Sequence, residues 1–343
     1  MMKISVKKGF FGSMTSSGLF AARPAIYAGA ILAAAYVACA YQIRTQTIFS
    51  CPAHKYSADR YLAYCQGPNY ADYEHGAVQF GLEPSVRGYV RDADVLFLGN
   101  SRLQFAFSTT ATADWFSAAS AHYYLLGFLY FENITFAEEL LRTIRPRARV
   151  FVINVDDFFD RSESPPVKTI FHDPEARHKY EAKQLWQRIH QPICKTFDRL
   201  CGTKFVIFRS RETGAYYTEG TAQLTIAPVS YDQIVSKDVV HSNVATAIEF
   251  LSHFAQGKCV ILTSVPFVGT KIGNASAIAN GIGAKLVTPE LLEGLQTFDG
   301  FHLDQPSAER WSQAFFLAAG PEIRACLEKQ GALRPSTYRP VSR

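Results

Sequence analysis

The sequence predicts an α/β domain built on a parallel sheet covered on both faces, and three observations carry that prediction. Short apolar runs recur along the chain: ADVLFLG at 93–99, HYYLL at 122–126 closed by Gly127, ARVFVINV at 148–155, KCVILTSV at 258–265 closed by Pro266, and AKLVT at 284–288. Runs of this length and continuity read as strands buried on both faces. Between them lie helical patterns at 134–145, ended by Pro146, and at 239–256 and 272–282, with another following at 305–318. Strands alternating with helices favour a parallel sheet between helical layers. The composition agrees, since 48% hydrophobic and 13% aromatic residues in 343 can fill a sizeable core and argue against disorder.

The first strand is preceded by about 90 residues of a different character. From Pro24 to Ile43 no residue is charged, and twenty such residues in a helix reach about 30 Å, one hydrocarbon core. Lys3, Lys7, Lys8 and Arg23 precede the run, with no acidic residue among the first 23. The positive-inside rule then puts the N-terminus in the cytoplasm and the rest of the chain outside, held by a single pass through the inner membrane. A cleaved signal ending near Ala38-Cys39-Ala40 is an alternative. A lipoprotein at Cys39 fits less well because of Tyr36, and a buried core helix fits poorly behind a basic leader. The expected organisation is a leader at 1–23, an anchor at 24–43, a juxtamembrane segment of turns and short helices at 44–90, the α/β domain at 91–330 and a tail at 331–343. Residues 160–238 are rich in charge, aromatics and proline and read as an insertion. It contains a hairpin from KFVIF and AYYTE, and either shapes a substrate cleft or is a plain surface excursion.

Export permits disulfides. The close pairs Cys51/Cys65 and Cys194/Cys201 read equally as local disulfides or free cysteines, and Cys259 and Cys326 as buried thiols. A net charge of +5 without a Lys/Arg stripe excludes a nucleic-acid partner. Neither zinc-ligand spacing nor a phosphate-binding glycine loop occurs.

Two short motifs carry chemistry. Gly99-Asn100-Ser101-Arg102 directly follows the first strand, and in an open parallel sheet ligands bind beyond the carboxyl ends of the strands. Alone, this turn reads as a serine capping a helix. Near the C-terminus stands Thr297-Phe298-Asp299-Gly300-Phe301-His302-Leu303. A nucleophilic serine needs a base, and the base needs an orienting acceptor. Asp299, three residues before His302, is spaced to reach the imidazole from the same loop. Gly300 permits the tight turn, and a helix from about Gln305 holds the loop rigid.

Taken together, FLGNSR and DGFHLD resemble the first and last blocks of the SGNH/GDSL hydrolase superfamily. TSVPF and the segment that follows it are similar to the closing half of such domains. The resemblance spans roughly residues 93–320, with 160–238 as a departure, and is strongest for membrane-anchored bacterial members that modify exported polysaccharides. It implies a flavodoxin-like three-layer α/β/α fold, no metal and no organic cofactor, and ester hydrolysis or acyl transfer through an acyl-serine. Ser101 would be the nucleophile, His302 the base and Asp299 its orienter. The substrate would be a glycan or other acyl ester, in the first place O-acetyl groups of a cell-surface or exported polysaccharide, and polysaccharide export proteins would be partners. The alternative is a catalytically weak glycan-binding or assembly component; a lipid esterase has only membrane proximity in its favour.

The two middle blocks of the family supply oxyanion donors, and here the match is looser. Gly127 fits the second. In the third, Asp156 falls where an asparagine amide is usual, and a carboxylate is a poor donor; Asn154 serves if the loop is shifted. Arg102 either contacts an anionic substrate or pairs with Asp156 or Asp157. His122 reads as structural at a buried strand start, and His172, His178 and His190 as too scattered for a metal. Tyr123, Tyr124, Phe128, Tyr130 and Phe131 read as core packing ahead of a sugar-binding role.

Overall fold

The computed structural model describes residues 17–67, 70–221, 224–290 and 292–331; most of the basic leader and nearly all of the tail lie outside them. The first helix, α1 (Ser17–Gln46), contains Pro24–Gln46, 23 residues of mean hydropathy 1.6 with none of that apolar window buried. At 1.5 Å per residue this segment is about 34 Å long, enough to cross a membrane. Its full exposure separates it from a core helix.

A 3-10 turn at Ile48–Ser50 leads into β1 (Arg60–Cys65), α2 (Tyr73–Gln79) and α3 (Val86–Asp92). The α/β part follows as β2 (Val95–Asn100), α4 (Ser101–Phe107), α5 (Thr110–Ala119), β3 (Tyr123–Phe128), α6 (Ile134–Ile144) and β4 (Val150–Asn154). Then come α7 (Pro165–His172), α8 (Ala176–Thr196), β5 (Val206–Ser210), β6 (Tyr216–Glu219) and β7 (Ala227–Pro228). The chain closes with α9 (Lys237–Phe254), β8 (Cys259–Thr263), α10 (Ile272–Ile282), β9 (Lys285–Leu286), β10 (Gln296–Thr297) and α11 (Gln305–Gly331).

Five strands form a sheet of order β3-β2-β4-β8-β9, all neighbours parallel. Every residue of β2, β3 and β4 is buried, which is why these strands read as continuous apolar runs and not as alternating ones. Their side chains divide by parity between two cores. Leu96, Leu98, Phe151 and Ile153 pack with residues of α6, α9 and α10. Val95, Phe97, Val150 and Val152 pack with Phe107, Phe116, Trp311 and Phe315 of α4, α5 and α11. The chain turns from β2 to β3 on one side and later to β4 on the other, so the end of β2 lies where the strand order reverses.

The hairpin expected within the insertion is present as β5 and β6, and β1 from the juxtamembrane segment pairs antiparallel with β5. Two segments about 140 residues apart thus share one sheet, a pairing that neither segment announces locally. A buried ion pair fixes this unit to the parallel sheet: Arg209 donates to Glu74 at 2.8 Å and to the Leu125 carbonyl at 2.7 Å. Tyr216 donates to the same carboxylate at 2.7 Å. Both charges are wholly buried, and their hydrogen bonds offset the desolvation of the pair.

Several expectations are corrected. Cys51–Cys65 and Cys194–Cys201 are disulfides, but Cys259 and Cys326 are joined as well, linking β8 to α11 instead of lying as separate thiols. Helix α11 runs on past Gly320-Pro321; Ala319, Ile323 and Leu327 continue its buried face, and that packing outweighs the proline. His122 is not buried, its side chain being 82% exposed at the entrance to β3.

Candidate active site

Strand β2 ends at Asn100 and α4 begins at Ser101 without an intervening loop. The helix is capped by Asn100, whose side-chain oxygen accepts from the Arg102 amide at 3.0 Å, so the capping role considered for Ser101 belongs to its neighbour. The same side chain reaches the Asp156 carbonyl at 3.4 Å, tying the turn to the end of β4. Ser101 is almost fully buried, and its Oγ lies 2.8 Å from His302 Nε2.

His302 Nδ1 lies 2.7 Å from Asp299 Oδ2. An ionised carboxylate only accepts, so Nδ1 carries the proton, and Nε2 is left as an acceptor for the Ser101 hydroxyl. The other carboxylate oxygen accepts from the backbone amides of Phe301 at 3.0 Å and His302 at 2.8 Å. Burial pushes the Asp299 carboxyl up, but the hydrogen bond and charge of His302 and the two backbone amides outweigh it and hold it below the usual aspartate range. Gly300 has φ of +87°, the left-handed turn that the sequence motif requires.

The loop carrying Asp299 and His302 is held from the insertion. β10 pairs with β7, and Thr297 Oγ1 donates to the Ala227 carbonyl at 2.9 Å while accepting from the Gly300 amide at 3.1 Å. The Thr225 amide donates to the Phe298 carbonyl at 2.8 Å. Phe298 stacks on the imidazole at 5.5 Å between centroids, and Phe105 of α4 contacts it at 4.8 Å. Sequence reasoning missed Thr297, Ala227, Phe298 and Phe105 as supports. Only Thr297 and Phe298 left a signal, by adjoining the motif.

The remaining candidates are placed as follows. Gly127 pairs in register with Gly99, and a Cβ on it would stand 2.6 Å from the Asn100 carbonyl oxygen. Its lack of a side chain therefore lets β3 close on the serine turn. Asn154 ends β4 fully buried; its Oδ1 accepts from the Val265 amide at 3.0 Å, and its Nδ2 has no partner among the described residues. Arg102 is buried, pairs closely with Asp156, and reaches Asp157 at 3.5 Å. Asp156 thus has a cation to neutralise and is not a free carboxylate facing the serine.

One cavity adjoins His302 and a second lies beside the rings of Phe105 and Phe298 that contact it. The first, of about 370 Å³, is lined by Tyr64, Tyr130, Phe131, Phe205, Asp299 and His302. A larger one of about 860 Å³ includes Phe105, Phe205 and Phe298 in its wall, with Tyr217, Thr218 and Leu224 from the insertion. The 160–238 block and β1 therefore form much of the cleft wall. Tyr123, Tyr124 and Phe128 are core residues, but Tyr130 and Phe131 are not. These two hold positive φ, +64° and +55°, and turn into the smaller cavity; strained residues of this kind gather at ligand-binding sites. His190 lies close to Cys194 and Cys201, but those sulfurs are bonded to each other and offer no thiolate to a metal. No family model, curated protein or solved structure matches the chain.

Proposed function

We propose that the chain is a membrane-anchored, extracytoplasmic serine-dependent O-acyl esterase or acyltransferase of the SGNH type, acting on O-acetyl groups of a cell-surface or exported polysaccharide. One observation carries it: Ser101, His302 and Asp299, drawn from motifs some 200 residues apart, make a continuous hydrogen-bonded relay of 2.8 and 2.7 Å. The strand order and the two cores support a flavodoxin-like three-layer domain with the serine at the switch point. Three disulfides support an oxidising compartment, and the basic leader supports a cytoplasmic N-terminus.

In this reading Ser101 Oγ attacks the acyl carbonyl carbon while its proton passes to His302 Nε2. The tetrahedral oxyanion takes hydrogen bonds from the Ser101 and Gly127 amides and from Asn154 Nδ2, the buried donor left unpaired. Collapse breaks the ester C–O bond, and the imidazolium returns its proton to the leaving sugar hydroxyl. Water or a second hydroxyl then attacks the acyl-serine by the same steps in reverse. Tyr130, Phe131 and Phe205 offer ring faces to the sugar. Arg102 is engaged with Asp156 and Asp157 and acts by bracing the third block, not as a free anion receptor.

A second reading, a catalytically weak glycan-binding or assembly component, is favoured by the carboxylate of Asp156 where the family has an amide. The deciding experiment labels the full chain in detergent with a serine-directed fluorophosphonate and assays acetate release from acetylated glycans. Labelling and release that vanish in Ser101→Ala establish the enzyme. Ester turnover undiminished in Ser101→Ala refutes the mechanism, and glycan binding without turnover selects the second reading.

A further inference from the structure

Helix α8 has two apolar faces. One, with Tyr180, His190 and Cys194, is buried against the domain. The other carries Leu185, Trp186 and Ile189, which are 58%, 53% and 38% exposed. With Ala182 and Ile193 they repeat at i, i+3, i+4, i+7 and i+11, the spacing of a single helical seam. The seam is prolonged past the helix by Phe197 and Leu200, 58% and 54% exposed. Single exposed apolar residues are ordinary, but a row of large ones marks a contact surface.

The position of α8 indicates what that surface meets. Three residues beyond α1 the chain packs on the buried face of α8: the Phe49 ring lies 5.8 Å from the His190 ring, and His190 Nε2 lies 2.9 Å from the Cys51 carbonyl oxygen. The far end of the seam lies nearer still to this segment, since the Gly202 amide, two residues past Leu200, donates to the Phe49 carbonyl at 2.7 Å. Around the seam stand Arg188, Lys195 and Arg199, all exposed and none ion-paired among the described residues. Large apolar side chains flanked by cations, with a tryptophan among them, match the boundary between acyl chains and anionic headgroups. Packing a second copy on this face would instead bury three cations per copy against a single exposed carboxylate, Asp198.

We propose that this face of α8 rests on the bilayer surface, with Leu185, Trp186 and Ile189 at the acyl boundary and Arg188, Lys195 and Arg199 on lipid phosphates. The inference rests on reading α1 as an anchor. A single span leaves a tethered domain free to swivel, whereas a second contact fixes which way its cleft faces.

The full chain is reconstituted into vesicles of phosphatidylcholine and phosphatidylglycerol, with acyl chains brominated near the headgroup or left plain. Brominated lipid is expected to quench part of the tryptophan emission, and the quenching is expected to disappear in Trp186→Phe and in Leu185→Asp/Ile189→Asp. Carbonate-resistant incorporation with no difference between brominated and plain lipid would overturn the docking while leaving the anchor intact. Extraction of the protein by carbonate would overturn both. Unquenched emission with disulfide-linked dimers forming through Ile189→Cys would assign the face to a second copy and also refute the proposal.

Discussion

The side chain of Asn100 takes the capping role in the turn after β2, and that leaves the Ser101 hydroxyl to His302. This division was not legible in Gly99-Asn100-Ser101-Arg102, because either polar residue caps a helix equally well. The Asp299–His302 contact was legible, since three residues and a glycine fix it locally. The triad's convergence was legible only through motif order, and the Arg102–Asp156 pair was left undecided because it depends on how the ends of β2 and β4 meet. Gly127 provides the test at this scale. Its missing Cβ would stand 2.6 Å from a carbonyl oxygen and 2.9 Å from Gln104 Cγ, so Gly127→Ala must push β3 away from the serine turn. The expected cost is about 1–3 kcal/mol of stability. A displacement approaching 1 Å at the site would also lower kcat/KM by about 100-fold. Denaturant titration beside ester kinetics reads both, and a variant unchanged in each would remove Gly127 from the site.

Helix α11 starts three residues after His302 and holds the loop of Asp299 in place, so its own attachment matters to the site. The sequence indicated its first half through an amphipathic pattern and hid its second half behind Gly320-Pro321. Its tie to β8 was hidden because Cys259 and Cys326 are 67 residues apart, and sequence spacing says nothing of distances across a fold. The hairpin β5–β6 was readable, being local, whereas the β1 pairing was not. Cross-linking 67 residues restricts the unfolded chain, and in the chain-entropy account a loop of that length contributes about 4 kcal/mol. Cys259→Ser/Cys326→Ser is therefore expected to lower the denaturation midpoint by a corresponding amount in oxidising buffer. Its turnover at low temperature should stay near wild type, because neither residue touches the triad. A variant as stable as wild type would show that α11 is held by Trp311, Phe315 and Ile323 alone.

Across the whole molecule, one buried histidine makes stability depend on pH. His75 is completely buried in α2 under the rings of Phe128, Tyr130 and Phe136, and its Nε2 lies 3.1 Å from Glu132. Burial pushes its pKa down, but the Glu132 carboxylate, with Glu74 and Asp72 nearby, more than reverses this and leaves it above the usual histidine value. A group whose pKa is higher folded than unfolded stabilises the fold fully below the unfolded value, near 6.5, and loses that contribution as pH rises through the folded value. His75 therefore makes the protein more stable in mild acid than in mild alkali. The expected result is a wild-type stability that falls as pH rises above about 6.5, the ordinary histidine value, and a smaller fall in His75→Gln, which keeps a donor for Glu132 but does not titrate. Denaturant midpoints taken across that range for both proteins measure the difference directly. Parallel curves for wild type and His75→Gln would mean that the buried pair does not change its protonation on unfolding.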